Sequence, residues 1–437
     1  MLNQLSGVPV TADSISWLLT PQRFREALLS KIAQAERCVY LSALYLEDDE
    51  AGRQVLDALL QAKECNPELD IKVFVDFHRA RRGLIGHKGD SGNYKMYRER
   101  MAAAKNPIEI YGVPVKAKEF LGVLHLKGFV IDDTVLFSGA SLNNIYLHLG
   151  NKYRFDRYYN IESAELARSM MSFMKETLAS DDAVKLLSEQ SDKEQLPTKA
   201  QIRSLKGKLF RQQYEFSGSN KGSRITPIVG LGRKKNLLNK VVVSLVKEAK
   251  ESLFICTPYF NPPYALTRAL IKQLKQGKRV DIVVGDKTAN DFFIPPEEKF
   301  STIGAVPYIY EQSLRTFVKR QQWAVDAGLL NIHLWKHEHH SFHLKGISAD
   351  NDRHLITGSN LNPRAWALDL ENGLFINDEE LLWEKEFADE QKHILQHTHR
   401  LYHYSQLDTL QVYPDGVKKI LLRIKRLRAG FLLKRIL

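Results

Sequence analysis

Two stretches of the chain repeat the residues that could do chemistry. HLKGFVIDD begins at His125, and HLKGISAD begins at His343. In each stretch a lysine follows the histidine by two positions, and an aspartate follows the lysine by five. A lysine neutralises phosphate oxygens as a point charge, and a histidine can attack phosphorus or carry a proton near neutral pH. The repeated pattern therefore indicates phosphoryl transfer.

The spacing of each stretch fits one face of a β-strand. Side chains alternate between the faces of a strand, so His125 and Lys127 share a face while Asp132 has the opposite parity, and the second copy behaves alike. We expect the histidines and lysines to face a ligand and the aspartates to brace the strand end or a neighbouring turn. In-line displacement needs groups on both sides of the phosphorus, so two histidines would build one shared site. The predicted catalytic residues are His125, Lys127, Asp132, His343, Lys345 and Asp350.

A glycine-led polar stretch follows each copy. SGASLNN contains Asn143, and TGSNLNP contains Ser359 and Asn362, whose donors are predicted to bind phosphate oxygens. Farther on, FDRYYNI and DLENGLFI place Asp156 and Glu371 in corresponding positions. A carboxylate that accepts a hydrogen bond from a histidine fixes the orientation of its ring. These two carboxylates are therefore predicted to orient the catalytic histidines.

The elements that must position these residues also repeat. Residues 40–45 and 254–259 are apolar, β-branched and aromatic runs typical of buried strands, and apolar residues at helical spacing follow at 55–62 and 265–274. Strands that alternate with helices predict an α/β fold with mostly parallel sheets. The predicted parts are two similar halves related by a pseudo-twofold axis at 1–185 and 226–410, a polar linker with one helix at 186–225, and a tail at 411–437.

Composition narrows the classes of partner. The chain has 437 residues, of which 63 are basic and 51 acidic, and a net charge of +12. This excess favours a polyanion, either nucleic acid or anionic lipid. No apolar run is long enough to predict a transmembrane helix, and no Lys or Arg precedes Arg23, so no secretory signal is predicted. Three cysteines without metal-ligand spacing are typical of a reducing cytoplasm.

Two basic segments are candidates for binding polyanions. Residues 417–437 combine an apolar stripe with many basic residues, as an interfacial amphipathic helix does, although a helix packed on the core with a solvated basic face has the same pattern. The predicted membrane-binding residues are Lys418, Lys419, Arg423, Lys425, Arg426 and Arg428. Arg79, Arg81 and Arg82 follow a predicted strand and are candidates for nucleotide binding, or part of a solvated loop. The histidine-rich run at 333–343 lacks the spacing of a metal site, so no metal is predicted.

The motifs resemble the signature of the phospholipase D superfamily, H-x-K-x(4)-D followed by G-S-x-x-N. The second copy fits it fully, with Gly358, Ser359 and Asn362, whereas the first has Ala140 in place of the serine. Longer stretches, among them HLITGSNLNPRAWALDLENGLFI, resemble the Gram-negative CDP-diacylglycerol–serine O-phosphatidyltransferases, and this likeness extends over nearly the whole chain.

The resemblance implies two phospholipase D-like halves and a ping-pong reaction that needs no metal and no other cofactor. His125 would displace CMP from CDP-diacylglycerol to form a phosphatidyl-histidine, and His343 would act as acid and base when L-serine accepts the phosphatidyl group. The motif lysines and asparagines would hold the phosphate. Because the lipid substrate lies in a bilayer, the implied location is the inner face of the cytoplasmic membrane, with peripheral binding to anionic phospholipid.

Other functions remain open from the sequence. A phospholipase D or a cardiolipin synthase would use water or a phosphatidylglycerol hydroxyl as acceptor on the same scaffold. A nuclease of the superfamily would use the positive charge to bind DNA. Against nucleic acid as substrate, the basic residues of the tail interleave with aliphatic rather than aromatic side chains. A non-catalytic membrane-binding protein is disfavoured by two intact motifs.

Overall fold

The structure is a computed structural model that describes residues 1–82, 92–189, 196–295 and 297–426. Its strands are β1 (Val8–Pro9), β2 (Ile15–Trp17), β3 (Cys38–Ser42), β4 (Asp70–Asp76), β5 (Glu109–Val113), β6 (Leu124–His125), β7 (Phe129–Ile131), β8 (Thr134–Ser138), β9 (Arg154–Phe155), β10 (Tyr158–Glu162), β11 (Lys185–Leu186), β12 (Arg224–Leu231), β13 (Ser252–Thr257), β14 (Arg279–Gly285), β15 (Leu330–Trp335), β16 (Ser341–Phe342), β17 (Gly346–Ala349), β18 (Arg353–Thr357), β19 (Leu370–Asn377) and β20 (Thr398–Leu401). Its helices are α1 (Pro21–Gln34), α2 (Glu50–Cys65), α3 (Phe77–Arg81), α4 (Tyr94–Ala103), α5 (Ala164–Ser172), α6 (Lys199–Leu209), α7 (Leu237–Glu248), α8 (Tyr264–Lys275), α9 (Val306–Arg320), α10 (Gln322–Asp326), α11 (Pro363–Ala367), α12 (Glu384–Leu395) and α13 (Asp415–Arg426).

The two main sheets repeat one strand order. The first is β11-β5-β4-β3-β7-β8-β10-β2, and the second is β20-β15-β14-β13-β17-β18-β19-β12-β1. Strands β3, β4 and β5 are parallel, as are β13, β14 and β15, whereas the neighbours that carry the motifs are antiparallel. The α/β class and the two similar halves are confirmed. The sheets are mixed rather than mostly parallel, because β7–β8 and β17–β18 are hairpins whose short turns force antiparallel pairing.

The helices beside the parallel strands form where the sequence spacing predicts them. α2 begins after Asp49, whose Oδ1 accepts a hydrogen bond from the Gly52 amide at 2.9 Å. Its buried face includes Val55, Leu56 and Leu59, which share a core with the inward side chains of β3 and β4. Truncation of a buried leucine costs about 2–5 kcal/mol, so this layer is a main support of the strands that lead to the motif.

A further core joins the two sheets. Tyr40 and Phe137 of the first sheet share one buried cluster with Val229, Ile356 and Leu374 of the second. Burial of such side chains stabilises by roughly 1.5–3 kcal/mol each. The two halves are therefore held together by apolar packing, which any site between them requires.

The segment predicted as a linker packs into the core between the two sheets. α6 begins with a capping box of Thr198 and Gln201, and it buries Leu205 and Leu209 in the cluster between the sheets. At the N-terminus, β1 pairs with β12 of the second sheet. The first half therefore begins at β2 and not at residue 1, because the first strand of the chain extends the other sheet.

The C-terminal helix packs on the second half. α13 buries Val417 and Leu421 against Tyr308 and Ile309 of α9, as the core-packed alternative requires. The predicted membrane-binding Arg428 lies outside the described residues. Within the described ranges, no helix is both long and apolar enough to cross a bilayer.

His354 makes the second half sensitive to acid. The residue is fully buried in β18, and its ring stacks on that of Phe387 with centroids 3.5 Å apart. Burial, with a smaller effect of the Arg157 charge, lowers its pKa to about 3 from the ordinary 6.5. Below pH 6.5 the unfolded chain binds a proton at His354, whereas the folded protein does not until the pH is near 3. The folded state therefore loses stability as the pH decreases below 6.5.

In wild type, the free energy of unfolding should fall with decreasing pH between about pH 6 and 4. In His354→Leu we expect this fall to be smaller by about 1 kcal/mol per pH unit. The measurement is the free energy of unfolding in urea at several pH values, compared with wild type. His399→Leu, at an exposed histidine of the same half, is the control. Equal slopes for wild type and His354→Leu would contradict the assignment.

Candidate active site

Each motif histidine lies where a short strand of one half joins the other half. β6 pairs in parallel with β19, which sets His125 beside Glu371. β16 pairs in parallel with β9, and the His343 amide continues the ladder by donating to the Phe155 carbonyl at 2.8 Å, one residue before Asp156. Both histidines are therefore at the junction of the halves.

The orienting carboxylates are exchanged between the halves. Nδ1 of His125 lies 2.7 Å from Oε2 of Glu371, and Nδ1 of His343 lies 3.1 Å from Oδ2 of Asp156. Since Asp156 belongs to the first half and Glu371 to the second, each half holds the histidine of the other. A hydrogen bond from Nδ1–H leaves Nε2 with its lone pair, as a nucleophile or a base requires.

Two buried lysines complete the centre. Lys345 donates from Nζ to Oδ2 of Asp156 at 2.9 Å. Nζ of Lys127 lies 3.4 Å from the Ser141 hydroxyl, and Asn372 fixes the backbone of Lys127 by hydrogen bonds to its amide and carbonyl, each of 2.8 Å. Both lysines are 1% exposed. Their charges therefore act inside the protein, where screening by water is weak.

Burial and nearby charges set the protonation of the centre. Burial and the charge of Lys127 hold the pKa of His125 well below its ordinary value, and burial and Lys345 do the same for His343. Burial and the charge of Lys345 lower the pKa of Lys127 to about 7. Burial raises the pKa of Glu371, but the charges of Lys127 and Lys345 oppose this effect and favour the ionised carboxylate. Both histidines therefore present a neutral ring at pH 7, and a bound phosphate would favour the charged lysine.

The glycine of each polar stretch makes room for the lysine of the other half. A Cβ on Gly139 would lie 2.6 Å from Oδ2 of Asp156 and 2.7 Å from Nζ of Lys345. A Cβ on Gly358 would lie 2.7 Å from Cγ of Lys127. Only glycine allows these lysines to reach the centre, because any other side chain would overlap them.

The motif aspartates are not part of the centre. Asp132 accepts hydrogen bonds from the amides of residues 36, 37 and 38 ahead of β3, at 2.8–3.0 Å. Asp350 accepts them from residues 250, 251 and 252 ahead of β13, at 2.7–3.1 Å. Their place in the predicted catalytic set is corrected: they brace the turns of the motif hairpins, as their strand parity predicts.

The predicted phosphate-binding residues lie in tight turns after the motifs. Oδ1 of Asn143 accepts from the Tyr146 amide at 3.0 Å, and Oδ1 of Asn362 caps α11 by accepting from the Ala365 amide at 2.9 Å. Ser359 is buried, and its amide donates to the Thr357 hydroxyl at 3.1 Å. An asparagine whose oxygen is used locally binds phosphate through its NH2 group, so phosphate binding by this set remains a prediction.

The predicted basic loop after β4 begins as the short helix α3. Arg79 donates from Nη2 to Oε2 of Glu47 at 2.6 Å, and Arg82 donates from Nη2 to Oε1 of Glu119 at 2.6 Å. The guanidinium of Arg81 lies over the ring of Tyr94, 5.1 Å from its centre. Arg79 and Arg82 are thus paired with carboxylates, contrary to the alternative of a solvated loop, and nucleotide binding by the three arginines stays a prediction.

Two tyrosines and an ion pair beside His343 were not predicted. Oη of Tyr146 lies 3.0 Å from Nδ1 of His343, and the ring of Tyr259 meets the imidazole edge-on with centroids 6.1 Å apart. Nε of Arg154 lies 2.9 Å from Oδ1 of Asp291 next to these rings. No repeat marks these residues, and the single sequence signal is that Arg154 precedes a predicted orienting carboxylate by two positions, on the same face of a strand.

Comparisons with known proteins agree with one another. The family described as "Cardiolipin synthase, PLD-like domain" matches residues 242–394. The chain is 44% identical over 441 residues to the CDP-diacylglycerol–serine O-phosphatidyltransferase of Escherichia coli K12, covering 100% of this chain and 97% of the relative. It is 41% identical to the Haemophilus influenzae enzyme of that name, with 100% and 97% covered. The crystal structure of phosphatidylserine synthase from Haemophilus influenzae Rd KW20 superposes with a TM-score of 0.96 at 41% identity, covering 100% of this chain and 98% of that one.

Proposed function

We propose, because this chain belongs to the family of CDP-diacylglycerol–serine O-phosphatidyltransferases, that it makes phosphatidylserine and CMP from CDP-diacylglycerol and L-serine. One observation carries the proposal: two buried histidines, each hydrogen-bonded to a carboxylate of the other half, meet beside two buried lysines. This arrangement offers a nucleophile, an acid–base group and positive charge for a single phosphodiester.

In the first step, His125 acts as the nucleophile. Its Nε2 attacks the phosphorus that bears the diacylglycerol, the P–N bond forms, and the P–O bond to CMP breaks. Glu371 stabilises the positive charge that develops on the ring through the Nδ1 hydrogen bond. Lys127 and Lys345 neutralise the phosphoryl oxygens in a buried setting, where charge stabilisation is effective.

In the second step, His343 acts as the base. Its Nε2 takes the proton of the serine hydroxyl, the serine oxygen bonds to phosphorus, and the P–N bond to His125 breaks with its electrons returning to the ring. Asp156 stabilises the protonated ring of His343. Division into two displacements replaces one difficult transfer by two easier ones.

The test is CMP release from CDP-diacylglycerol in mixed micelles that contain EDTA, with and without L-serine. We expect release that rises with serine and yields phosphatidylserine. Phosphatidate as the sole product would identify water as acceptor, as in a phospholipase D. Transfer to phosphatidylglycerol in place of serine would favour a cardiolipin synthase, and cleavage of DNA without CMP release would favour a nuclease.

The two motif glycines offer a steric prediction. We expect Gly139→Ala to displace Lys345 and Asp156 and to lower kcat for phosphatidylserine formation about 100-fold, because misplacing catalytic groups by about 1 Å has an effect of that size. Gly207→Ala, in α6, is the control, since a Cβ there meets nothing closer than 4.0 Å. Equal rates for the two variants would show that the position of Lys345 does not depend on the space left by Gly139.

We also propose that the protein reaches its lipid substrate by peripheral binding at the inner face of the cytoplasmic membrane. The apolar face of α13 is engaged by α9 through Val417 and Leu421, so attraction of charge to anionic lipid is the main contribution expected from this helix. Lys418 is half-buried and lies 3.3 Å from Asp415. The exposed basic residues of α13 are Lys419, Arg423, Lys425 and Arg426.

Replacing those four exposed residues by alanine should weaken sedimentation with phosphatidylglycerol vesicles at least about 100-fold, since each basic residue near an anionic surface contributes about 1 kcal/mol. The packed side chains of α13 stay in place. The control removes the same number of charges from α7 and α8, at the exposed Lys240, Lys247, Lys272 and Lys275. Equal binding of the two variants would reject α13 as the membrane contact.

A further inference from the structure

The ion pair beside His343 is assembled from both halves. Arg154 comes from β9, and Asp291 comes from the segment between β14 and α9. Tyr259 donates its hydroxyl to Oδ2 of Asp291 at 2.6 Å. The guanidinium of Arg154 lies over the ring of Tyr146, 4.6 Å from its centre, and Tyr146 contacts His343. The pair is therefore separated from the proposed base by the width of one side chain.

The side chains of this ion pair are more exposed to solvent than those of Lys345 and Asp156. The side chains of Lys345 and Asp156 are 0% and 1% exposed, whereas those of Arg154 and Asp291 are 15% and 11% exposed. Burial tends to raise the pKa of Asp291, but the charge of Arg154 and the hydrogen bond from Tyr259 help to outweigh it, so the carboxylate remains ionised. An ion pair so far removed from water rarely adds stability over apolar packing, which points to a role in binding.

Both members of the pair have unused hydrogen-bonding capacity. Among the described residues, Arg154 donates from Nε to the Ser341 hydroxyl at 3.4 Å and from neither Nη. Oδ1 of Asp291 is buried and lies 2.9 Å from Nε of Arg154, but it accepts no hydrogen bond among the described residues. A cationic fork and an anionic oxygen thus lie side by side at the proposed base, each able to bind a group of opposite charge.

We propose that Arg154 and Asp291 form the binding site for the amino-acid acceptor. The carboxylate of the amino acid binds the two NH2 groups of Arg154, its ammonium group binds Oδ1 of Asp291 beside the face of Tyr259, and its hydroxyl points to Nε2 of His343. This inference rests on the proposed function, of which it names the acceptor site. A guanidinium matches a carboxylate through two parallel hydrogen bonds, and an α-amino acid carries both charges on neighbouring carbons.

The same pair explains how other alcohols would be refused. Glycerate has a hydroxyl where serine has its ammonium group, and ethanolamine lacks the carboxylate. Glycerate would leave Asp291 without the ligand's ammonium group, and ethanolamine would leave the NH2 groups of Arg154 without the ligand's carboxylate. A site built for a polar group rejects analogues without it by large factors, so we expect wild type to prefer serine over each analogue by about 1,000-fold.

The experiment measures transfer from CDP-diacylglycerol to L-serine, glycerate and ethanolamine by the full chain. In Asp291→Asn, the preference for serine over glycerate is expected to fall below about 30-fold, while the preference over ethanolamine persists. In Arg154→Gln, the preference over ethanolamine falls and the preference over glycerate persists. Because each preference is a ratio within one variant, a lower overall rate does not mask the result.

A matched control is Asp281→Asn, which opens another partly buried pair, with Arg279 at 2.7 Å, and should keep wild-type preferences. Should a charge variant fail to fold, Tyr259→Phe removes only the hydroxyl that holds Asp291 and is expected to raise KM for serine about tenfold. Unchanged preferences in both charge variants, or an unchanged KM in Tyr259→Phe, would overturn the inference. If wild type makes no phosphatidylserine at all, it is the proposed function that fails.

Discussion

His343→Ala should release about one CMP per enzyme molecule from CDP-diacylglycerol and then stop, even when L-serine is present. CMP leaves as a phosphate monoester, whose second pKa is about 6, so its departure at pH 7 needs no proton donor. The serine hydroxyl is a poor nucleophile until a base takes its proton. Loss of that base should lower the steady-state rate about 1,000-fold while the phosphatidyl-enzyme accumulates.

CMP release is followed by quenched flow, at an enzyme concentration high enough that one CMP per enzyme molecule can be detected. His125→Ala should show neither the burst nor turnover, since it lacks the atom that accepts the phosphatidyl group. His399→Ala, which removes an exposed histidine of the second half, should behave as wild type. A burst in His125→Ala, or sustained turnover in His343→Ala, would reverse or reject the assigned roles.

Glu371→Gln should slow the first half-reaction about 100- to 1,000-fold, although Glu371 lies in the half that does not carry the nucleophile. Attack on phosphorus places positive charge on the ring of His125, and the carboxylate 2.7 Å from Nδ1 stabilises it. Glutamine keeps the size of the side chain but lacks the charge. Exchange of labelled CMP into CDP-diacylglycerol without serine reports this step alone.

The other orienting carboxylate, Asp156, should affect the second half-reaction. Asp156→Asn should slow transfer to serine more than CMP exchange, because Asp156 supports the ring of His343. Glu379→Gln serves as the control, since Glu379 binds Arg224 at 2.7 Å and is 43% exposed. A loss of CMP exchange in Asp156→Asn but not in Glu371→Gln would mean that each carboxylate serves the histidine of its own half.

Local sequence pattern predicted the parts of this site that are themselves local. The repeat of His125 and Lys127 at strand spacing indicated phosphoryl transfer, and the parity of Asp132 predicted its place in a turn, where it now accepts backbone hydrogen bonds. Alternating strand and helix patterns predicted the α/β class. They overestimated parallel pairing, because a short turn, rather than the period of apolar residues, decides the direction of the strands around the motif.

Contacts between distant segments escaped prediction. β6 and β9 have two residues each, too few to show a pattern. Yet the pairing of β6 with β19 sets His125 beside Glu371, and the pairing of β9 with β16 brings Asp156 to His343. The ion pair of Arg154 and Asp291 has no counterpart in the repeat, and Asp291 comes from the segment between β14 and α9. The apolar stripe of α13 predicts only that this face of the helix is buried. It does not distinguish burial against α9 from burial in lipid.

The most direct test of the shared site is to find the phosphatidyl group on the protein. Wild type is mixed with CDP-diacylglycerol without serine, quenched in alkali, digested and examined by mass spectrometry for a lipid-modified histidine. We expect the modification on the peptide that contains His125 and on no other. Modification of His343, or CMP release without any protein-bound lipid, would contradict it.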